Sequence, residues 1–431
     1  MSALIWHHSL SELTRSQAKR IIQDVGSTGQ PPIFGYQLFS AGLDPWLITL
    51  EEEYLKDYIR SGGSAFKLVT GTYGEGKTHF LYSVRGLAWM HNYVSSYIEL
   101  KPDETPLHNL ESVYRSIVAN LLYPQSAASL LESGYDRGIE AMLKIWYYSR
   151  STHLRPNLTR KEYTKTIHEL TAAIGPYESS SYTNALRHAF LALHEKDDQK
   201  FNLILQWLKG ETPPTPELQQ YHIHEKLDSK TGFKFIRCLI QWLREIGYVG
   251  LVILMDEAEK TPGMTAKERE KLLNNLRAVI DACSKGEIKG SMIFYAVPDV
   301  SFLEGRTNVY EALNQRLSTI FEGAKNPTGV RINLEQLWGT REELLTTIGQ
   351  KLAGIYEKAY GIRFDPDLLD DRIQSVITKV LGEKFGEVSY KRLFVQEIIK
   401  NFHEQKSEMR NKARTGQHAG LNTEVSRTTE M

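Results

Sequence analysis

One stretch constrains the fold of this chain more than any other. Phe66-Lys67-Leu68-Val69, a short run of strand formers, passes directly into Gly-Thr-Tyr-Gly-Glu-Gly-Lys-Thr at 71–78, and a helical pattern follows from Phe80 to Tyr93. Strand, glycine-rich turn and helix in that order satisfy G-x-x-x-x-G-K-[ST], carried by Gly71, Gly76, Lys77 and Thr78 with a further Gly74 inside the loop. The spacing serves anion binding. Glycines let successive backbone N–H groups turn inward onto phosphate oxygens, and the positive end of the following helix adds to them. Lys77 would reach the β- and γ-phosphates, and Thr78 would offer its hydroxyl to Mg²⁺. Thr72, Tyr73, Glu75 and His79 complete the candidate nucleotide-binding residues of this loop, and ATP with Mg²⁺ is the expected ligand pair.

A second element supports the first. Gly250 to Met255 is a continuous apolar run, as expected of a parallel strand buried on both faces, and it ends in Asp256-Glu257. Two carboxylates at the end of a buried strand are costly without a function. Asp256 would hold Mg²⁺, and Glu257 would orient or deprotonate an attacking water, which favours hydrolysis over transfer to a small acceptor. Glu259 is a weaker candidate. Another apolar run, Ser291 to Val297, is separated from the first by a helix around Lys267 to Cys283, and strands alternating with helices predict a parallel α/β core.

Around that core the pattern is helical. Leu10 to Val25 reads as an amphipathic helix with Gly26 just past its end, residues 26–44 as a breaker-rich loop, Leu47 to Ser61 as a second helix and Val94 to Leu100 as a strand. From about 105 to 244 nearly everything is helical, broken by the Pro-rich 211–217, which is too long for one crossover and predicts an all-helical insertion. Its Trp146, Trp207 and Trp242 read as core anchors. The expected organisation is an N-terminal helical and loop segment 1–64, a P-loop core 65–325 carrying the insertion, a C-terminal helical lid 326–403 and a frayed tail 404–431.

Charge is balanced, with 52 Lys plus Arg against 52 Asp plus Glu, so nucleic acid can be met only by a local patch. The basic stretches 155–165 and 406–414 are interleaved with acidic or neutral residues and both read as solvated helix faces; if nucleic acid is bound, the candidate patch is Arg155, Arg160, Lys161 and Lys165. Cys238 and Cys283 lie in apolar helical contexts and read as buried free thiols of a reducing compartment. No apolar run approaches the ~20 residues that span a bilayer, and the opening segment lacks the regions of a secretory leader, so a cytoplasmic protein without membrane contact is expected. His222-x-His224 lacks a third ligand and reads as a pair of solvated loop histidines.

KLVTGTYGEGKTHFL, GSTGQPP, LFSAGLDP, LQWLKGE and GYVGLVILMDEAE, in this order, resemble the P-loop ATP-binding proteins of BREX-type bacterial anti-phage systems, of the BrxD type. The resemblance spans about Val25 to His403. It implies an α/β parallel-sheet P-loop NTPase of the ASCE class, AAA+-like and related to origin-recognition and STAND ATPases. It implies an oligomeric, Mg²⁺-dependent ATPase that couples ATP to DNA or to a defence-cluster partner such as a helicase; the alternative is an oligomerising switch or scaffold with slow hydrolysis. Arg316, in EALNQRLSTIF, matches the region of an arginine finger, with Arg277 as a second candidate, and Arg392, in SYKRLFVQEII, resembles the sensor arginine of a helical lid. The strand from Ser291 ends Tyr295-Ala296-Val297-Pro298-Asp299 without the usual Asn or Thr, which leaves a first sensor unassigned.

Overall fold

The structure, a computed structural model, describes residues 10–100, 109–126, 129–130, 135–152, 159–256, 265–298, 308–336, 339–382 and 390–427. Among the described residues six strands form one sheet: β1 Ser64–Thr70, β2 Val94–Glu99, β3 Leu121–Leu122, β4 Leu251–Asp256, β5 Ser291–Val297 and β6 Arg331–Asn333, in the order β3-β2-β4-β5-β1-β6. All neighbours run parallel except β3, which is antiparallel to β2. The three central strands β4, β5 and β1 are buried along their whole length, which is why they read as unbroken apolar runs. Because β1, β5 and β4 are parallel, Thr70 and Asp256 lie at the same, carboxyl end of the sheet, where open α/β sheets bind ligands. There the backbone N–H of Gly71 donates to the carbonyls of Val297 at 3.3 Å and Pro298 at 3.1 Å.

Lys67 is the exception in its strand. Its ammonium donates to Tyr54 Oη at 2.8 Å and to the carbonyls of Pro327 and Gly329, and lies 4.3 Å from the ring centroids of both Tyr54 and Phe321. A buried cation is tolerated when every donor is satisfied and aromatic faces surround it.

The helices in chain order are α1 Arg15–Thr28, α2 Asp44–Leu50, α3 Lys77–Met90, α4 Leu110–Ala119, α5 Gly138–Thr152, α6 Arg160–Ala172, α7 Ser180–Glu195, α8 Asp198–Leu208, α9 Thr215–Gln219, α10 Gly232–Glu245, α11 Ala266–Ser284, α12 Asn308–Leu317, α13 Arg341–Tyr360, α14 Pro366–Gly382 and α15 Tyr390–Arg427. By contact the chain divides into two units, 44–71 with 80–335, and 1–43 with 72–79 and 336–431.

The first unit holds the sheet and the helical segment between β2 and β4. Aromatic side chains bind that segment together: Tyr114 Oη meets Tyr182 Oη at 3.1 Å, and Phe235 packs edge-on to both rings. Trp146, Trp207 and Trp242 are all buried, as anchors should be. Arg115 Nε donates to the Gly210 carbonyl at 2.9 Å, and Gly210 stands at φ +80°, so the glycine of LQWLKGE is favoured by its left-handed backbone. Cys238 and Cys283 are free and buried, and burial pushes their thiols up to about 11 and about 12.

The second unit is built on α1, α13, α14 and α15. Thr14 caps α1 reciprocally with Gln17, and Thr340 caps α13 with Glu343. The helix predicted to stop at Gly26 runs through it to Thr28, because the missing side chain lets Ile399 of α15 pack there: a Cβ would lie 2.9 Å from Ile399 Cγ2. Gly29, in the left-handed region at φ +63°, ends the helix instead. α15 also continues past His403, where the composition predicts a frayed tail, since Gln405 is buried and Glu408 pairs with Arg372 at 2.8 Å. In the first unit, the predicted helix 47–61 is α2 followed by a π-helical turn, Glu51–Leu55.

Candidate functional site

The glycine-rich loop has the backbone its motif demands. Gly74 and Gly76 stand at φ +84° and +95°, which only glycine adopts without strain, and they flank Glu75. The Glu75 N–H donates to the Thr72 carbonyl at 3.1 Å, and Lys77, the first residue of α3, folds back so that Nζ lies 3.4 Å from the same carbonyl. Lys77 is 6% exposed. Thr78 follows in the first helical turn. The loop therefore offers left-handed glycines, a helix N-terminus and a folded-back lysine, a donor set that fits a polyphosphate.

Within this unit the loop forms one wall of a cleft. Gly74, Glu75, Gly76 and His79 face it from the loop and α3; Val25, Pro31, Phe39, Leu344, Ile348 and Val395 make it apolar, and Lys391 and Arg392 of α15 bring positive charge. An apolar pocket with a few convergent polar groups is what a small-molecule site requires.

Arg392, singled out from the sequence, is at this cleft. Its Nε donates to the Thr28 carbonyl at 2.8 Å, its NH1 donates to Tyr73 Oη, and its guanidinium lies 5.4 Å from the Tyr73 ring centroid. Gly29 permits that approach, since a Cβ there would stand 2.6 Å from Arg392 Cγ. The neighbouring Lys391 was not singled out. Its Nζ is 2.7 Å from Glu75 Oε2 and 3.1 Å from the Glu75 carbonyl.

His79 is held neutral. Its Nε2 is hydrogen-bonded to Ser40 Oγ, its ring meets Tyr36 and Phe39 edge-on, and burial together with the nearby charges of Lys391 and Lys351 pushes its pKa down to about 4. An unfolded histidine titrates near 6.5, so between these values the unfolded chain binds more protons and stability falls as pH drops from about 6.5 to about 4. Urea melts of the nucleotide-free protein across that window should show a steeper loss in wild type than in His79→Gln. Parallel curves would contradict the burial of a neutral ring.

On the sheet, Asp256 is 1% exposed at the end of β4 and accepts a hydrogen bond from Tyr97 Oη at 2.8 Å on Oδ2. Burial and the Asp256 charge raise the Tyr97 pKa strongly, so the phenol remains a donor. Tyr82 packs 5.0 Å from the Tyr97 ring, and the buried Arg85 lies 4.2 Å from the Tyr82 ring. Glu257 and Glu259 lie outside the described residues, as does Asp299.

The other candidates fall elsewhere. Arg316 forms a two-pronged pair with Asp281, Nε to Oδ1 at 2.6 Å and NH2 to Oδ2 at 3.3 Å, while NH1 donates to the Ala312 carbonyl at 2.6 Å. Arg277 approaches the same carboxylate at 3.7 Å. Of the candidate basic patch, Lys161 and Lys165 are exposed, Lys165 lies 3.7 Å from Glu169, and Arg155 is outside the described residues. His222 and His224 have ring centroids 6.4 Å apart, and among the described residues no group of three or more His, Cys, Asp or Glu could hold a metal ion. Among the described residues no helix is long and apolar enough to cross a membrane.

Lys391 in one unit and Tyr97 in the other, neither named by the sequence reading, each contact a partner remote in sequence, Glu75 and Asp256 respectively. Residues 13–417 match the family described as BREX system ATP-binding protein BrxC/D. No curated protein and no solved structure matches the chain.

Proposed function

Because this chain belongs to the family of BREX system ATP-binding proteins BrxC/D, we propose that it is a Mg²⁺-dependent ATPase of a bacterial anti-phage system, acting in the cytoplasm as a homo-oligomer. The observation that carries this reading is the cleft in which the loop of Gly74, Glu75 and Gly76 shares one cavity with apolar side chains and with Lys391 and Arg392. The sheet order supports an ASCE, AAA+-like core, since β5 separates the loop-bearing β1 from β4, the strand of Asp256. The proposed organisation keeps the boundaries of the sequence reading, with the core at 65–325 and the lid at 326–403.

Each residue then has a role. Within the loop from Gly71 to Thr78, backbone N–H groups other than those of Gly71 and Glu75, which donate to protein carbonyls, bind phosphate oxygens, Lys77 neutralises the β- and γ-phosphates, and the Thr72, Tyr73 and His79 positions complete the loop. Thr78 and Asp256 would hold Mg²⁺, which supplies charge neutralisation across the β- and γ-phosphates when bound. Tyr97 fixes one oxygen of Asp256, and Glu257 accepts a proton from the attacking water. Arg392 serves the nucleotide from the lid. A finger role for Arg316 in a neighbouring subunit would require release of its pair with Asp281, so that assignment is the weakest in structural support. The work is coupled to DNA or to a partner of the same defence cluster, such as a helicase.

Steady-state phosphate release from ATP tests this reading. It should require Mg²⁺ and should rise when DNA or the partner is added. A second reading, a nucleotide-dependent switch with slow hydrolysis, is favoured by the direct seating of α15 on the loop through Tyr73 and Glu75. Tight Mg·ATP binding with about one turnover per binding event, unaffected by DNA or partner, would select the switch.

A further inference from the structure

A carboxylate is an odd choice inside a loop that binds anions. Glu75 occupies the position before Gly76-Lys77-Thr78, lines the cleft and is 9% exposed, so water screens its charge poorly. Its neighbours Gly74 and Gly76 are both in the left-handed region, so Glu75 is flanked on both sides by residues without a side chain to fix the peptide. Something must hold that residue and cancel its charge before a polyphosphate can settle.

Lys391 does both. One ammonium meets the carboxylate of Glu75 at 2.7 Å and its carbonyl at 3.1 Å, so the side chain and the backbone of the same residue are held from α15. The next residue, Arg392, takes Tyr73 two positions earlier in the loop. Two adjacent cations on the first turn of one helix thus seat on two alternate side chains of the loop. The pair differs from an ordinary surface ion pair in its burial, with the Lys391 side chain 17% and the Glu75 side chain 9% exposed.

We propose that Lys391 is a positioning residue of the phosphate loop, which fixes the peptide at Glu75 and neutralises its carboxylate so that nucleotide affinity depends on α15 being seated. The proposal rests on the nucleotide reading given above. Glu75, in turn, is the feature that makes the loop dependent on the lid: with Lys391 withdrawn, its carboxylate loses the ammonium at 2.7 Å and bears more of its negative charge on the phosphates the loop must bind.

Equilibrium titration of the full chain with a fluorescent ATP analogue and Mg²⁺, for wild type, Lys391→Met, Lys391→Arg, Glu75→Gln and the double variant Lys391→Met/Glu75→Gln, reads the pair directly. Lys391→Met should weaken binding by about 10-fold or more, and Lys391→Arg should retain most of the affinity. Glu75→Gln should bind at least as tightly as wild type and, added to Lys391→Met, should recover the larger part of the loss. A merely structural brace would give the opposite sign for Glu75→Gln, with both single variants and the double losing affinity and thermal stability together. Unchanged affinity in Lys391→Met, or no recovery in the double variant, overturns the assignment while leaving the nucleotide site standing. Absence of binding by wild type overturns the nucleotide reading itself. Should Lys391→Met fail to fold, Lys391→Arg and Glu75→Gln carry the same prediction through the sign of the Glu75 effect.

Discussion

Lys77→Ala should lose Mg·ATP binding by about 100- to 1,000-fold, the range expected when one preorganised charged donor is removed from a phosphate site. The side chain is 6% exposed and bends back toward its own loop, so it is a cation already placed and already desolvated. Its removal should leave the glycine-rich backbone intact, because Gly74 and Gly76 occupy the left-handed region without steric strain. The loss should therefore be one of affinity, with little change in the melting of the nucleotide-free protein. Isothermal titration with Mg·ATP and a thermal melt check both halves. Wild-type affinity in the variant would remove Lys77 from the site.

Glu257→Gln should separate binding from turnover. An amide keeps the shape of the carboxyl group but accepts no proton, and general-base catalysis contributes about 10²–10⁴ in rate. Turnover should fall by that factor while Mg·ATP affinity stays within about threefold, since the chemistry of the step and not the charge on the phosphates is removed. Hydrolysis at the wild-type rate would mean that the water is managed by another group. Asp256→Asn offers the contrast: it replaces one carboxylate oxygen by an amide nitrogen at a group already tied to Tyr97, and should weaken the Mg²⁺ dependence of binding itself.

Much of this was legible before any coordinates, for identifiable reasons. β1, β4 and β5 are buried on both faces and therefore read as apolar runs, and the loop between β1 and α3 needs glycine at fixed positions because of its φ values. The tryptophans of the helical segment announced a core because so large a side chain is seldom placed otherwise. The edge strands were not legible: β3 has two residues and β6 three, too few for any period to show. Gly26 misled because a glycine at a helix surface can signal close packing, here against Ile399, as well as a stop. Lys391 and Tyr97 escaped for a different reason. Their roles come from Glu75 and Asp256, which lie 316 and 159 positions away, and nothing local distinguishes a lysine that holds a loop from one that is solvated.

The central claim is that the phosphate loop, the segment after α1 and the start of α15 enclose one nucleotide. Hydrogen exchange of the full chain, followed by mass spectrometry with and without Mg·ATP and with Lys77→Ala as reference, tests it most directly. The account predicts nucleotide-dependent protection in three segments together, 29–41, 72–79 and 390–395, each of which contributes side chains to the cleft, and no such protection in Lys77→Ala. Protection confined to other parts of the chain, or equal protection in the variant, would contradict it.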